Sequence, residues 1–250
     1  MRIPPLQRGR LMARLAQAPD EVAAAQRLRH LAFVAARGRG PASGQDRDEF
    51  DVVSAHLLVL DGDDPVACCR LRLHRGAEVL NSYAGRFYDL ERLADFASPL
   101  LELGRFCLHP DRHDPDILRL AWAAMAGLVD AQGVGLMFGC SSFPGADPAP
   151  HAEALSLLCA HIGPQAWRPG QRMADALPLA GLARPFNRAR ALAGTPPLLR
   201  SYLGIGGWVS DHAVPDPAMD TLHVFTAVEV AQIPPARARA LRGIAAESVG

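Results

Sequence analysis

Two apolar runs commit this chain to a β-sheet. Ala55-His-Leu-Leu-Val-Leu-Asp61 ends in Asp-Gly-Asp-Asp-Pro, and Val66 to His74 follows, with Arg70, Arg72 and His74 alternating against Leu71 and Leu73. A period of two on either side of a tight Asp/Gly turn predicts a hairpin. Other periods surround it. Leu11 to Ala16 reads as a short first strand. Pro19-Asp20-Glu21 opens a helix, with acids where the helix dipole favours them. Val22, Ala25, Leu28, Leu31 and Ala35 then recur at three- and four-residue intervals.

Leu100 to Leu108 is a further strand. Pro115 starts a helix to about Ala131, with Pro in the first turn and Gly133 past the end. Val134 to Ser142 is strand-like and His151 to His161 a short helix. Beyond that the pattern is irregular and rich in Pro, Gly and Arg, with a short helix at Leu198–Leu203, a strand at Thr221–Val230 and a terminal helix at Ala236–Ala246. Helix, hairpin, strand, helix, strand, helix, strand is neither a regular βαβ array nor an all-β order. It predicts an α/β (α+β) chain in which helices flank a mixed central sheet.

The 250 residues suffice for one large domain with an elaborated C-terminal half, and 49% hydrophobic content supports a sizeable core and excludes global disorder. Arginine supplies the positive charge, and 26 basic residues balance 26 acidic ones. No bulk field marks a nucleic-acid binder. The five cysteines, at 68, 69, 107, 140 and 159, are odd in number, include an adjacent pair and lack CxxC spacing. They argue against a disulfide framework or a structural zinc site, and for a reducing compartment. Cys68, Cys107 and Cys140 lie in strand-like runs and read as buried small hydrophobes. Met1 to Arg14 has no secretory h-region, and Leu118–Val129 carries Arg119 and is too short to span a bilayer. A soluble, cytoplasmic protein is expected. Peripheral contact with the inner face of the cytoplasmic membrane stays open.

Three segments can carry chemistry. In Leu101-Glu102-Leu103-Gly104-Arg105-Phe106-Cys107-Leu108, alternation places Glu102, Gly104, Phe106 and Leu108 on one face and Leu103, Arg105 and Cys107 on the other, unless a bulge intervenes. A carboxylate and a guanidinium on a buried strand must be paired or used. A structural ion pair is the plainer reading. Asp46-Arg47-Asp48-Glu49-Phe50-Asp51 is either a solvated turn, again the plainer reading, or a pocket for a cation; Phe50 implies that the loop packs against something. The third segment, Arg112 to Leu120, lies at a helix N-terminus, an anion site in principle. However, His113-Asp114-Pro115-Asp116 stands where a glycine-rich turn would wrap a pyrophosphate.

The order AHLLVLD, ELGRFCLHPD, ILRLAWAAM, GLMFGCSSFPG, PPLLRSYLGIGGWVSDHAV and TLHVFTAVEV resembles the ornithine-[acyl-carrier-protein] N-acyltransferase family over about residues 10–245. That family makes lyso-ornithine lipid and is related to acyl-homoserine-lactone synthases, which Asp46, Phe50 and Asp51 and the E-x-x-R of Glu102 and Arg105 also resemble. The resemblance implies a GNAT-like fold in a single domain over 1–250. Residues 10–165 would form the core, and 166–250 an extension completing the sheet. It implies an acyl carrier protein as donor, ornithine as acceptor, and neither metal nor cofactor. Main-chain groups of Phe106, Cys107 and Leu108 would bind the donor's pantetheine arm. The missing Q/R-x-x-G-x-G/A turn departs from the coenzyme-A-binding pattern and favours the carrier-protein donor.

Glu102 is the expected base, and Ser141 or Ser142 would protonate the leaving thiol, though strand-end capping also explains both serines. Asp48 and Asp51 would receive the substrate's cationic groups. Arg105 would bind its carboxylate or hold Glu102. Arg184 and Arg188, within an arginine-rich C-terminal half, are expected to dock the acidic carrier. Trp122, Met125, Met137, Phe138 and Phe143 would line an acyl channel or pack the core. Acyl-homoserine-lactone synthesis, a coenzyme-A-dependent acetyltransferase and a non-catalytic carrier-protein binding module are the rival readings.

Overall fold

In the computed structural model, Met1 and residues 3–247 are described. Residues 2 and 248–250, part of the range expected of the single domain, lie outside them. In chain order the elements are β1 (Leu6–Arg8), β2 (Leu11–Leu15), α1 (Pro19–Phe33), β3 (Ala55–Asp61), β4 (Asp64–His74), β5 (Tyr88–Asp89), α2 (Glu91–Ala94) and β6 (Leu100–Leu108). There follow α3 (Pro115–Gln132), β7 (Leu136–Pro144), α4 (Ala152–Leu158), β8 (Gly170–Gln171), β9 (Leu177–Pro178), α5 (Leu179–Leu182), α6 (Arg188–Gly194), α7 (Pro197–Gly204), β10 (Trp208–Asp216), β11 (Thr221–Glu229) and α8 (Pro235–Glu247). They form two compact units. Unit 1 comprises Met1–Arg72, Leu103–Val134 and the chain from Pro235; unit 2 comprises Leu73–Glu102 and Gly135–Pro234.

Unit 1 has strand order β1-β2-β3-β4-β6. The hairpin forms as its turn chemistry requires. Asp61 pairs with Asp64, and Gly62 takes the left-handed φ of 64° that a two-residue turn needs. Helices α1 and α3 pack on these strands. Pro115 occupies the first turn of α3, and Gly133, at φ 60°, ends it. Ala25 and Leu28 of α1 meet Leu58, Cys68 and Cys107 in the core.

Unit 2 has strand order β6-β7-β11-β10-β9. The first three residues of β6, Leu100–Glu102, pair in parallel with Leu136–Phe138 of β7, while β7–β11 and β11–β10 are antiparallel. The sheet is thus mixed and flanked by helices, the expected fold class. Leu100, Leu136, Phe138, Trp208 and Phe225 centre one core cluster; Phe143, Leu155, Leu199 and Leu222 centre another. Met137, Phe138 and Phe143, weighed above as channel lining, are buried in unit 2, and Trp122 and Met125 are buried in unit 1. Cys68 and Cys107 are buried as expected, but Cys140 is only partly so.

Five strands escape the sequence reading: β1, the two-residue β5, β8 and β9, and the nine-residue β10. In β10 the inward positions include Ser210, His212 and Asp216, all buried, and the register shifts between Val209 and Ala213. Buried polar residues and a bulge erase the apolar alternation that would have announced it. Ser210 is absorbed locally. The Ser210 hydroxyl donates to the His212 carbonyl at 2.6 Å and accepts from the Phe225 N–H at 3.1 Å.

His223 on β11 is 2% exposed, and burial pushes its pKa from 6.5 down to about 4. Between those values the unfolded chain binds a proton at this ring that the folded chain refuses. Stability should therefore fall as pH drops from 6.5 to 4, by up to about 3 kcal/mol, and this contribution levels off below. His223→Phe removes the titration. The stability gap between wild type and variant, measured by urea unfolding, should shrink steadily from pH 7 to pH 4. A gap independent of pH would refute the assignment.

Candidate active site

In unit 1 the acidic segment is no solvated turn. Residues Glu49–Val53 form a short 3-10 helix, capped by Asp48, whose carboxylate accepts the Phe50 N–H at 2.9 Å. The three aspartates point inward, with side-chain exposures of 13% (Asp46), 14% (Asp48) and 5% (Asp51). Three arginines meet them. Arg29, from α1 and 1% exposed, reaches Asp46 Oδ2 at 2.8 Å and both oxygens of Asp51 at 2.8 and 3.0 Å. Arg70, from β4 and 4% exposed, pairs with Asp48 and, at 3.1 Å, with Asp51; its guanidinium lies 5.5 Å from the centre of the Phe50 ring. Arg105, from β6, reaches Asp46 at 3.0 Å and Asp48 at 3.3 Å. Three carboxylates and three guanidiniums cancel, which is what allows such charge to be buried.

This lattice has a backbone cost. Arg105 sits at φ 53°, a left-handed conformation that L-residues avoid by about 1–2 kcal/mol. Two charge-assisted bonds from the same side chain offset that cost. Asp51 titrates far below the usual carboxylate range. Burial alone would push it up, but the Arg29 bonds and charge, the Asp48 N–H and the Arg70 charge outweigh that.

Of the two aspartates expected to receive a substrate cation, Asp51 has its oxygens filled by Arg29, Arg70, Gln26 (3.0 Å) and the Asp48 N–H (3.3 Å). Asp48 is shallower and accepts from Phe50, Arg70 and Arg105. Cys107 is buried, with Sγ 3.5 Å from Cys68 Sγ; that contact and burial push its thiol far above the usual range. Phe106 and Leu108, beside it on β6, are half-buried.

At the start of α3, Asp114 closes the helix end on itself. Its carboxylate accepts the Asp116 N–H at 2.9 Å and its carbonyl accepts the Ile117 N–H at 3.2 Å, while Pro115 has no N–H. The donors that a pyrophosphate would need are already used or missing.

In unit 2, Glu102 is 6% exposed. Its carboxylate accepts the Ala84 N–H at 2.8 Å and the Tyr83 N–H at 3.2 Å, and lies 3.4 Å from His74 Nε2. His74 Nδ1 is 3.1 Å from the Glu78 carbonyl. Both ring nitrogens therefore face acceptors. Sequence reasoning named Glu102 but missed His74, along with Arg29 and Arg70.

Ser141 and Ser142, neighbours on β7, point to opposite faces. Ser141 is buried and its Oγ accepts from Thr226 Oγ1 at 2.9 Å; Ser142 is exposed. At most one of them can reach a given leaving group. Arg184 and Arg188 are exposed, as is Phe186 between them, at 40%. Among the described residues no three His, Cys, Asp or Glu side chains are grouped to hold a metal, and no helix is long and apolar enough to cross a membrane.

The acetyltransferase (GNAT) domain family matches residues 28–123, a span that includes the aspartate–arginine lattice, Glu102 and the start of α3. That segment is thus a domain of the GNAT class. An L-ornithine N(alpha)-acyltransferase of Rhodobacter capsulatus is 35% identical over 226 residues, covering 85% of this chain and 87% of that one. One from Brucella abortus is 33% identical over 244 residues, covering 90% and 86%. The chain belongs to the L-ornithine N(alpha)-acyltransferase family. Among solved structures, an N-acyl amino acid synthase from uncultured soil microbes overlays with TM-score 0.48 at 12% identity, covering 91% of this chain and 98% of that one.

The lattice should behave as a unit. Arg29→Met leaves Asp46 and Asp51 short of their main partner in a buried setting, and should cost about 3–5 kcal/mol in urea unfolding. A loss below about 1 kcal/mol would reduce the lattice to the worth of surface pairs.

Proposed function

We propose that this chain transfers a fatty or 3-hydroxyfatty acyl group from the thioester of an acyl carrier protein to the α-amine of L-ornithine, giving lyso-ornithine lipid. The observation that carries the acceptor is family membership across most of the chain, since the relatives are named for acylating ornithine. The closed N-terminus of α3 supports the carrier-protein donor, whose single phosphate needs no pyrophosphate cradle. The domain is taken as one catalytic whole, with a core over 10–165 and an extension over 166–250. The work is done in the cytoplasm, at or near the inner face of the membrane that receives the product.

Amine attack on a thioester needs a neutral amine, a polarised carbonyl and a protonated leaving thiolate. Glu102 takes the ammonium proton, directly or through water, and His74 positions its carboxylate. The carbon–nitrogen bond forms as the carbon–sulfur bond breaks; the thiolate takes a proton from its donor, and the second proton lost by the attacking nitrogen restores that donor. Ser142, exposed on its strand, is better placed to supply that proton than the buried Ser141. Main-chain groups at Phe106–Leu108 hold the pantetheine arm. Asp48 receives a cationic group of the acceptor and Arg105 its carboxylate, while Asp51 maintains the lattice beneath them. No acyl-enzyme forms, and Cys107→Ala should keep its activity.

With purified enzyme, acyl carrier protein thioester and ornithine, Glu102→Gln should lower kcat by about 100-fold or more. Near wild-type turnover would sink the base assignment. The exposed Arg184 and Arg188 dock the acidic carrier. Arg184→Glu with Arg188→Glu, or added salt, should raise the donor KM and leave kcat nearly unchanged. A KM indifferent to both would move docking elsewhere.

A further inference from the structure

A groove of about 460 Å³ opens in unit 1 between α1, the start of β4 and the turn that follows β6. Leu28 and Leu31 of α1 give it an apolar wall, and its charged and polar lining is Arg27, Asp64, His109 and Arg112. Two guanidiniums and an imidazole thus face one carboxylate.

The donors are available. Arg27 has no ion-pair partner among the described residues. Arg112 shares Asp61 with Arg10, and its contact is the looser, 3.7 Å against 2.9 Å. His109 Nδ1 accepts the Asp111 N–H at 3.2 Å, so the neutral ring carries its proton on Nε2, which has no partner among the described residues.

We infer that this groove binds the phosphate ester at the base of the donor's pantetheine arm, with Arg27, Arg112 and the His109 Nε2–H as its donors. The inference rests on the carrier-linked donor proposed above. The chemistry suits the lining: a phosphate takes charge-assisted bonds from arginine, and the carbon chain beside it meets leucine. Side chains would then supply here what the closed turn before α3 withholds.

Acyl-pantetheine 4′-phosphate and acyl-pantetheine, used as free small donors, test this. Wild type should show a KM about tenfold lower for the phosphorylated donor, the scale of one or two charge-assisted bonds. In Arg27→Gln/Arg112→Gln the two KM values should converge, with kcat unchanged. Both arginines are exposed, so folding should not suffer. Equal KM values in wild type, or a ratio retained in the variant, would overturn the assignment. Calorimetric titration with pantetheine 4′-phosphate and with pantetheine reads the same preference without turnover. A preference seen there in an enzyme that acylates no ornithine would keep the groove and remove the transferase reading. Vesicles of phosphatidylglycerol in phosphatidylcholine separate the other phosphate source. Vesicle binding lost in the variant while the donor ratio persists would give the groove to a lipid headgroup and overturn the inference.

Discussion

Three arginines matched against three aspartates, all buried or half-buried, set the geometry of unit 1. Each guanidinium comes from a different element, Arg29 from α1, Arg70 from β4 and Arg105 from β6, and the aspartates all come from one short loop. The loop is thereby pinned to a helix and two strands at once. Removing one charge would leave its partners buried and unmatched, so the cost of breaking the set exceeds the value of any single pair. Such a lattice is rigid in direction as well as in energy, because guanidinium forks accept carboxylates in few orientations.

The sequence reading succeeded where period and punctuation agree. The hairpin, β6 and α3 announce themselves through alternation, an apolar run, and Pro and Gly at the two ends of a helix. It failed where polar residues point inward. β10 hides behind Ser210, His212 and Asp216. The acidic loop looked solvated because its partners are distant in sequence, 17 to 59 residues away. One clue was present. Arg29 follows Ala25 by one helical turn and so lies on the apolar face of α1, where an arginine needs a carboxylate. Likewise Arg70 and His74 fall on a face of β4 that would be solvent-exposed only if nothing covered it, and alternation alone cannot reveal the cover.

Glu102 was legible as a residue that needs a purpose, but its surroundings were not. The main-chain N–H groups of Tyr83 and Ala84 and the ring of His74 on β4 meet it, an arrangement that no motif spells. The start of α3 shows the opposite case. There Asp114-Pro115 already told that the helix end was occupied, and the hydrogen bonds follow the letters.

Arg105 places two demands on one position. Its backbone conformation is one that glycine adopts freely, whereas its side chain completes a charge balance that glycine would break. Variation at this residue is therefore squeezed from both directions: glycine relaxes the strand and unbalances the loop, and a branched side chain satisfies neither. The left-handed residue within β6 is in that sense written in electrostatics, and it can be inherited only together with the acidic loop it answers to.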